Sequence, residues 1–574
     1  MAKKIFSGGD FLTQEVACQD IFIPEDFTDE HKQIANTTEQ FVTCEIQPLN
    51  KEIEAKNFDL LLEKLEECAD LGLMMIDAPE EYGGLSLDKV TSMLVTEKMA
   101  FALNFGLTYM CHTGIGMLPL IYYGTAEQKE RYLGKLMRAE MIGAYCLTEP
   151  GSGSDALGAK STAILSADGL HYVLNGTKQF STNAGFANLY TVFAKVDKKH
   201  FTAFLIERTF PGLTLGPEEK KMGMHGSSTR QVILDNVKVP VENVLGEVGK
   251  GHKIAFNVLN VGRFKLGALC VGQKKYALSE GARYANERQQ FGVPISSFGA
   301  VQEKLADVTA LTFAAEAVVY RLAGLIDDRL ATLDSKRDDY YVLHQKGIEE
   351  YAGECAIAKV FCTEAAAKAI DDILQVHGGY GYIAEYPIEQ LYRDERVQRI
   401  YEGTNEINRL LIPGLFLRKG LKNRVPAPGL ESCNAQVFAA EKALLGGMKR
   451  IYLAFSDYIV NIFGAEVTQE QEVLLAMADA AIQIFAMESA LLRAEKACDR
   501  VTGHKRLLYQ AVAGLCTFNA RQEFVCAVEK SAVFLESNAL LDSIKSETAY
   551  TPKGLLAGKR LIAKEISQVE KYIF

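Results

Sequence analysis

The chain has 574 residues, 48% apolar and 24% charged. This is the profile of a packed globular protein with room for three or four domains or one large multi-layer enzyme, and not of a disordered or fibrous chain. A net charge of −11 and a pI near 5.5 argue against nucleic acid as the main partner, while local Arg, Lys and helix N-termini can still hold a small-molecule phosphate. The twelve cysteines are dispersed with no CxxC pair, so neither a zinc site nor a dithiol site is expected, and the thiols are expected buried and reduced.

Residues 1–28 read as an N-terminal arm. "MAKKIFSGGDFLTQ" carries two lysines but no apolar core, so no signal peptide is expected. No run approaches the ~18–20 apolar residues of a membrane span, and the expected location is cytoplasmic. Residues 29–140 read as a helical domain: "HKQIANTTEQFVTCEI" and "DLLLEKLEECADLGLMM" repeat apolar residues at three- and four-residue spacing, and "PEEYGGLS" punctuates them. The texture changes over 141–250. The stretches "HYVLNGTKQF", "LYTVFAKV", "FTAFLIE" and "RQVILDNVKVP" are separated by the turn signals "ADG", "NG" and "PG", as in a small antiparallel β-domain. Helical periodicity returns over 251–422, with "FGAVQEKLADVTALTFAAEAVVYRLAGLI" as one long amphipathic helix. Helices, strands, then helices is not the alternation of a doubly wound sheet.

"NRVPAPGLES" (423–432) reads as a linker into a further helical region ending at 574. There Thr468 to Gln471 has capping-box spacing, and Ile451, Phe455, Ile459 and Ile462 form one stripe. That stripe, or the basic-apolar "KGLLAGKRLIAK" (553–564), reads as packing against the rest of the protein or, as the alternative, as a peripheral membrane contact.

Four segments carry chemistry. In "AYCLTEPGSGSD" (144–155) a strand opens into a Gly/Ser loop suited to an anion or heterocycle, though alone it reads as readily as an ordinary loop. It lacks the spacing and βαβ context of a dinucleotide fingerprint. In "KQFSTNAG" (178–185) Phe180 and Thr182 offer a stacking face and a hydroxyl, or are an ordinary strand pair. "ERQQFGVPISSFGAVQEKLAD" (287–307) holds Arg288, suited to a phosphate, with Phe291 and Gln302. "ILQVHGGYGY" (373–382) is a glycine turn after a helix. No GxSxG or HExxH accompanies them, which removes the esterase and zinc-hydrolase readings.

Taken together these segments resemble the acyl-CoA dehydrogenase family, flavoenzymes that oxidise fatty acyl-CoA thioesters, over nearly the whole chain. The pieces that carry the resemblance are "CLTEPGSGSD", "NGTKQFSTN", "LDNVKVPVENVLG", "ANERQQFG", "QVHGGYGY" and "YRDERVQRIYEGTNEINR", in that order. The N-terminal segment, "KKMGMHG", "NVLNVGR", "QEKLA" and the C-terminal extension are similar to the very-long-chain subgroup, which is usually dimeric. The implied fold is mainly α with a central β-domain: an N-terminal helical domain, an antiparallel β-barrel-like domain, a four-helix-bundle domain and an extra C-terminal helical domain. The implied cofactor is FAD. Tyr145, Leu147 and Thr148 would line its ring system, Ser154 would lie near flavin and acyl-CoA, and Phe180 and Thr182 would complete the wall. Arg288, Phe291, Gln302, Gln375 and Gly379 would reach it from the partner subunit, with Thr404 and Glu406 closing over it. The family usually has Trp at the Phe180 position, and this chain has no Trp.

The implied reaction is α,β-desaturation of medium- to very-long-chain fatty acyl-CoA to trans-2-enoyl-CoA, as in fatty acid β-oxidation. A base takes the α-proton and the β-hydrogen leaves as hydride. A free Glu with pKa ~4.3 is a poor base for that proton. Burial against acyl chain and flavin raises it, and hydrogen bonds to the thioester carbonyl lower the substrate's own pKa. A positioned base contributes roughly 10²–10⁴ and one aimed oxyanion donor roughly 10²–10³, so both are required. In the family the donors are the N–H of the catalytic Glu, here Glu402, and a FAD ribitol hydroxyl. Some members place the base immediately before an Arg of the substrate helix, but here that dipeptide is Gly262-Arg263, leaving Glu402. Asn260 and Arg263 would contact the CoA portion, and Tyr401 and Gly403 flank the base. The expected acceptor is electron-transfer flavoprotein. The alternatives are an oxidase-like protein that passes electrons to oxygen and a catalytically idle assembly relative.

Overall fold

The computed structural model describes residues 4–337, 339–418 and 437–574. The stretch read as a linker, 423–432, lies outside them. The chain divides into two compact units: a sheet-bearing unit, Thr28–Lys265 with Leu330–Glu349, and a helical unit, Met1–Phe27, Leu266–Arg329 and Glu350–Phe574.

The sheet-bearing unit opens with helices whose starts are written in the sequence. Thr28 accepts from the His31 backbone at 3.2 Å at the head of Asp29–Phe41. Thr125 and Gln128 form a reciprocal capping box at Ala126–Met137. Phe41, Leu61, Leu65, Met99 and Phe105 gather in one buried cluster. The α-helix expected to run through residue 46 ends at Phe41 and widens into a π-helical turn, Val42–Ile46.

Eight strands follow: β1 (Gly143–Cys146), β2 (Thr162–Leu165), β3 (His171–Thr182), β4 (Leu189–Val196), β5 (His200–Glu207), β6 (Leu213–Leu215), β7 (Thr229–Pro240) and β8 (Val244–Leu245). The expected antiparallel barrel-like domain is instead an open mixed sheet in the order β6-β7-β3-β2-β4-β5-β8, with β1 also on β4. β4 pairs antiparallel with β5, while its other edge takes β1 and then β2 in parallel. The chain leaves β1, runs through β2 and β3, and only then lays down β4, so both pairings are crossovers. A second correction concerns "NG". Asn175-Gly176 is no turn but an irregularity inside β3. Gly176 sits at φ +152°, and a Cβ there would come within 2.2 Å of the Ser161 hydroxyl.

In the helical unit the long predicted helix is Gly299–Leu330, and the C-terminal region is helical throughout its described length. On Ala439–Phe463, Ile451, Phe455 and Ile459 of the stripe are buried while Ile462 is 51% exposed, and on Leu555–Val569 Ile562 and Ile566 are buried. Lys559 pairs with Glu303 at 2.7 Å and Asp307 at 2.9 Å. Both stretches therefore pack within this unit. The capping box expected at Thr468 does not form: a 3-10 turn occupies Gly464–Gln469 and the helix starts at Gln471. The N-terminal arm is tied in by the wholly buried Arg493, which binds Glu25 at 2.9 Å and Glu316 at 2.6 Å. Contrary to the reading that nothing is long and apolar enough to span a membrane, three helices among the described residues are so by length and composition (Gly251–Glu287, Gly299–Leu330, Gln471–Cys498), with 83% to 94% of their most apolar windows buried in the protein.

Candidate functional site

Glu402 lies in a loop between a short 3-10 turn, Arg396–Arg399, and the helix Asn405–Arg418. It is half-buried and holds a left-handed φ of +58°, followed by Gly403 at +81°. Glycine adopts this region freely, whereas a glutamate there carries roughly 1–2 kcal/mol of strain. Such a conformation persists only where the surroundings over-determine it, and here they do. Thr404 Oγ1 accepts from Ile407 N at 3.3 Å and caps the helix. Asn408 Nδ2 donates to the carbonyls of Gly403 at 2.7 Å, Thr404 at 3.1 Å and Glu402 at 3.4 Å. From the helix Ala352–His377, the fully buried Lys359 donates to Gly403 O at 2.9 Å and Asn405 Oδ1 at 2.5 Å. Tyr401 is half-buried. Glu406 is exposed, its carboxyl held below the ordinary value by its own backbone N–H and by the Thr404 hydroxyl.

In the sheet-bearing unit, Leu147, Thr148 and Thr182 are half-buried and Ser154 is exposed on its Gly/Ser loop. Phe180 is 60% exposed. It sits at φ +55° where the β3–β7 register slips between Lys178 and Ser181, so the bulge turns its ring outward. Tyr145 lies on β1, one residue before Cys146 at the strand's end. It is buried, edge-on to Phe193 at 5.2 Å, with its hydroxyl 3.4 Å from Ala255 O. Beneath this face Lys178 and Glu149 form a buried pair at 2.6 Å, and Glu149 also takes the N–H groups of Lys160 and Ser161. Burial pushes the Glu149 carboxyl up, but Lys178 and these donors outweigh it and hold it below its ordinary value. Gln179 N donates to Thr148 O at 2.8 Å, locking the loop to β3. On Gly251–Glu287, Asn260 and Arg263 are both buried, and Arg263 donates to Asn260 Oδ1 at 3.0 Å.

Of the remaining predicted residues, all in the helical unit, Arg288 and Gly379 line a cleft of about 630 Å³ with Tyr284, His377 and Tyr380, whereas Phe291, Gln302 and Gln375 are not among its lining residues. Arg288 lies 5.4 Å over the Tyr380 ring. Phe291 and Gly292, at φ +53° and +82°, are the two central residues of a tight hairpin between Gln289–Gln290 and Val293–Pro294. The Phe291 ring at its tip is 93% exposed. Gln375 is exposed. Gln302 is engaged locally, donating to Ser296 O at 3.1 Å.

The sequence reading overlooked Lys359, Asn405, Asn408 and the Glu149–Lys178 pair. A signal existed for Lys359: it is a lone lysine in the apolar run "CAIAKVFC", and a buried lysine needs acceptors.

Comparison with known proteins gives three family-model matches that together span most of the chain: Acyl-CoA dehydrogenase, N-terminal domain (residues 28–140), middle domain (144–237) and C-terminal domain (249–413). A fourth, also described as Acyl-CoA dehydrogenase, C-terminal domain, matches residues 447–533. A probable acyl-CoA dehydrogenase of Bacillus subtilis is 44% identical over the full length of both chains. The mitochondrial very long-chain specific acyl-CoA dehydrogenase of Bos taurus is 37% identical, over 71% of this chain and 61% of its own. The crystal structure of an acyl-CoA dehydrogenase complexed with FAD from Bacillus anthracis superposes with a TM-score of 0.96 at 44% identity, covering 99% of this chain and 100% of that one.

Proposed function

The chain belongs to the acyl-CoA dehydrogenase family, and on that premise we propose that it desaturates medium- to very-long-chain fatty acyl-CoA to trans-2-enoyl-CoA in fatty acid β-oxidation, with Glu402 as the base. The observation that carries this is the clamp on Glu402: a carboxylate in a strained left-handed conformation, held by Lys359 and Asn408 through the neighbouring carbonyl. A helix-terminus charge alone needs neither the strain nor the clamp. Glu402 takes the α-proton, and its backbone N–H donates to the thioester carbonyl as negative charge develops there. Gly403 lets the chain turn sharply behind the carboxylate, and Thr404 fixes where the following helix begins.

The residues present fit FAD. Phe180 offers an outward ring in place of the usual Trp, Thr148, Thr182 and Ser154 offer polar edges, and Arg288 stands in a cleft suited to a pyrophosphate. When bound, FAD supplies the acceptor for the β-hydrogen as hydride. The 93% exposure of Phe291, with Tyr380, Tyr382 and Ile383 of the same unit also exposed, supports a homodimer in which each copy's hairpin completes its partner's cofactor site. Electron-transfer flavoprotein is the proposed acceptor.

The test is anaerobic titration of the FAD-loaded protein with acyl-CoA of graded chain length, followed by reoxidation with electron-transfer flavoprotein or with oxygen. Bleaching by medium to very long chains and faster reoxidation by the flavoprotein are expected. No bleaching by any acyl-CoA defeats the proposal, and fast peroxide formation transfers it to the oxidases.

A further inference from the structure

The helix that follows Glu402 is bound sideways as well as capped. Asn405 and Arg409 are one turn apart, so they share a face, and that face meets Lys359, Thr363 and Glu364 of Ala352–His377. Asn405 Nδ2 donates to Glu364 Oε1 at 2.9 Å and Thr363 Oγ1 at 3.2 Å, while its Oδ1 accepts from Lys359. Arg409 then grips Glu364 with both ends of its fork, Nη1–Oε1 at 2.6 Å and Nη2–Oε2 at 2.8 Å. Its remaining edge, Nε, reaches Asp479 Oδ1 at 2.7 Å. Asp479 belongs to Gln471–Cys498, in the C-terminal helical region.

A continuous series of bonds thus leads from the Gly403 carbonyl through Lys359, Asn405, Glu364 and Arg409 to Asp479. Three of its members, Glu364, Arg409 and Asp479, stand on the wall of a cavity of about 450 Å³ between these helices. Arg409 faces this cavity with its ion pairs to Glu364 and Asp479 holding the guanidinium. The planar fork of arginine suits this duty, because it binds one carboxylate with both tips and a second with Nε in one plane.

Resting on Glu402 as the base, we propose that Arg409 and Asp479 are positioning residues for it: the C-terminal helical region holds the base-bearing loop in register through this strut. Neither side chain touches substrate; each acts through Glu364, Asn405 and Lys359. The C-terminal region then has a part in the chemistry and is not only an added packing layer.

The experiment compares full-length, FAD-loaded wild type with Asp479→Asn, Asp479→Glu and Arg409→Lys. Two readouts are taken: amide hydrogen exchange of residues 400–408, and the rate of anaerobic flavin bleaching at saturating acyl-CoA beside the acyl-CoA dissociation constant. Asp479→Asn and Arg409→Lys are expected to exchange faster at 400–408. They are also expected to bleach roughly 3- to 30-fold more slowly, with acyl-CoA affinity and FAD content unchanged, as for a reacting group slightly out of place. Asp479→Glu, which keeps the carboxylate, is expected within about threefold of wild type. Unchanged exchange at 400–408 in both disrupting variants overturns the strut. Faster exchange with a wild-type bleaching rate overturns its role in positioning, and so does a loss confined to acyl-CoA affinity or FAD content. Faster exchange in a protein whose wild type no acyl-CoA bleaches supports the strut and instead defeats Glu402 as a dehydrogenase base.

Discussion

Replacing Lys359 by Met removes an ammonium group while keeping a side chain of similar length in a fully buried position. The ammonium donates to Gly403 O at 2.9 Å and Asn405 Oδ1 at 2.5 Å. Hydrogen bonds from a charged donor contribute about 1.5–3 kcal/mol each. The Gly403 carbonyl keeps Asn408 at 2.7 Å, whereas Asn405 Oδ1 is left with only the Thr363 hydroxyl at 3.5 Å. The loop therefore loses about one charge-assisted bond, roughly 1.5–3 kcal/mol. That matches or exceeds the roughly 1–2 kcal/mol of strain at Glu402, so the left-handed conformation is no longer secured. Carried fully into the barrier, the loss slows proton abstraction roughly 10- to 150-fold. The assay is stopped-flow bleaching of the FAD-loaded variant at saturating acyl-CoA, with FAD content measured beside it. A Lys359→Met protein that retains FAD and bleaches within about threefold of wild type would refute the claim that this lysine secures the base.

Three other outcomes follow from the geometry. Asp77 is buried between Lys89 at 2.6 Å and Lys265 at 2.8 Å. Burial raises its carboxyl, but the two lysines outweigh that and hold it well below the usual range. Asp77→Asn leaves both cations uncompensated, at a cost of roughly 3–5 kcal/mol, read as earlier thermal unfolding at pH 7. Because the folded value is depressed, the wild-type contribution is complete above about pH 5 and fades as pH falls through the unfolded value of ~3.9 toward the depressed folded one. The gap between wild type and variant is therefore expected to narrow in acid; a gap that stays constant to pH 3 would contradict the assignment. Phe291→Lys is expected to weaken the dimer and lower FAD content together, by sedimentation and absorbance; a monomer with full FAD would separate the two. Phe180→Gly relieves the backbone strain yet removes the ring, and is expected to release FAD about tenfold more readily on dilution, by flavin fluorescence. Equal retention would take Phe180 out of the cofactor site.

Much of the fold was legible because its elements obey local rules. β4 and β5 coincide with alternating stretches to within a residue, and Thr28, Thr125 and Thr404 cap helices through bonds to backbone only three residues on. What was not legible depended on distant chain. The parallel pairing of β1 and β2 along β4 is decided by crossover order, and Gly176 bends within a strand because Ser161 crowds it. The cap at Thr468 lost to a 3-10 turn. At the site, Glu402 and Gly403 could be singled out from the one segment that carries the resemblance. The groups that hold them could not, since Lys359, Glu364 and Asp479 lie 38 to 77 positions from Glu402 and meet the loop only through helix packing. The exposure of Phe180 was equally beyond the sequence, because a bulge and not simple alternation sets which way β3 presents its side chains.

The central claim is that the Glu402 carboxylate takes the α-proton, and Glu402→Gln tests it with the fewest other changes, preserving shape and backbone N–H. Acyl-CoA added anaerobically to the FAD-loaded variant is expected to shift the flavin spectrum on binding, with affinity near wild type, while bleaching falls by at least about 10². Bleaching at the wild-type rate would contradict the account and place the base on another residue.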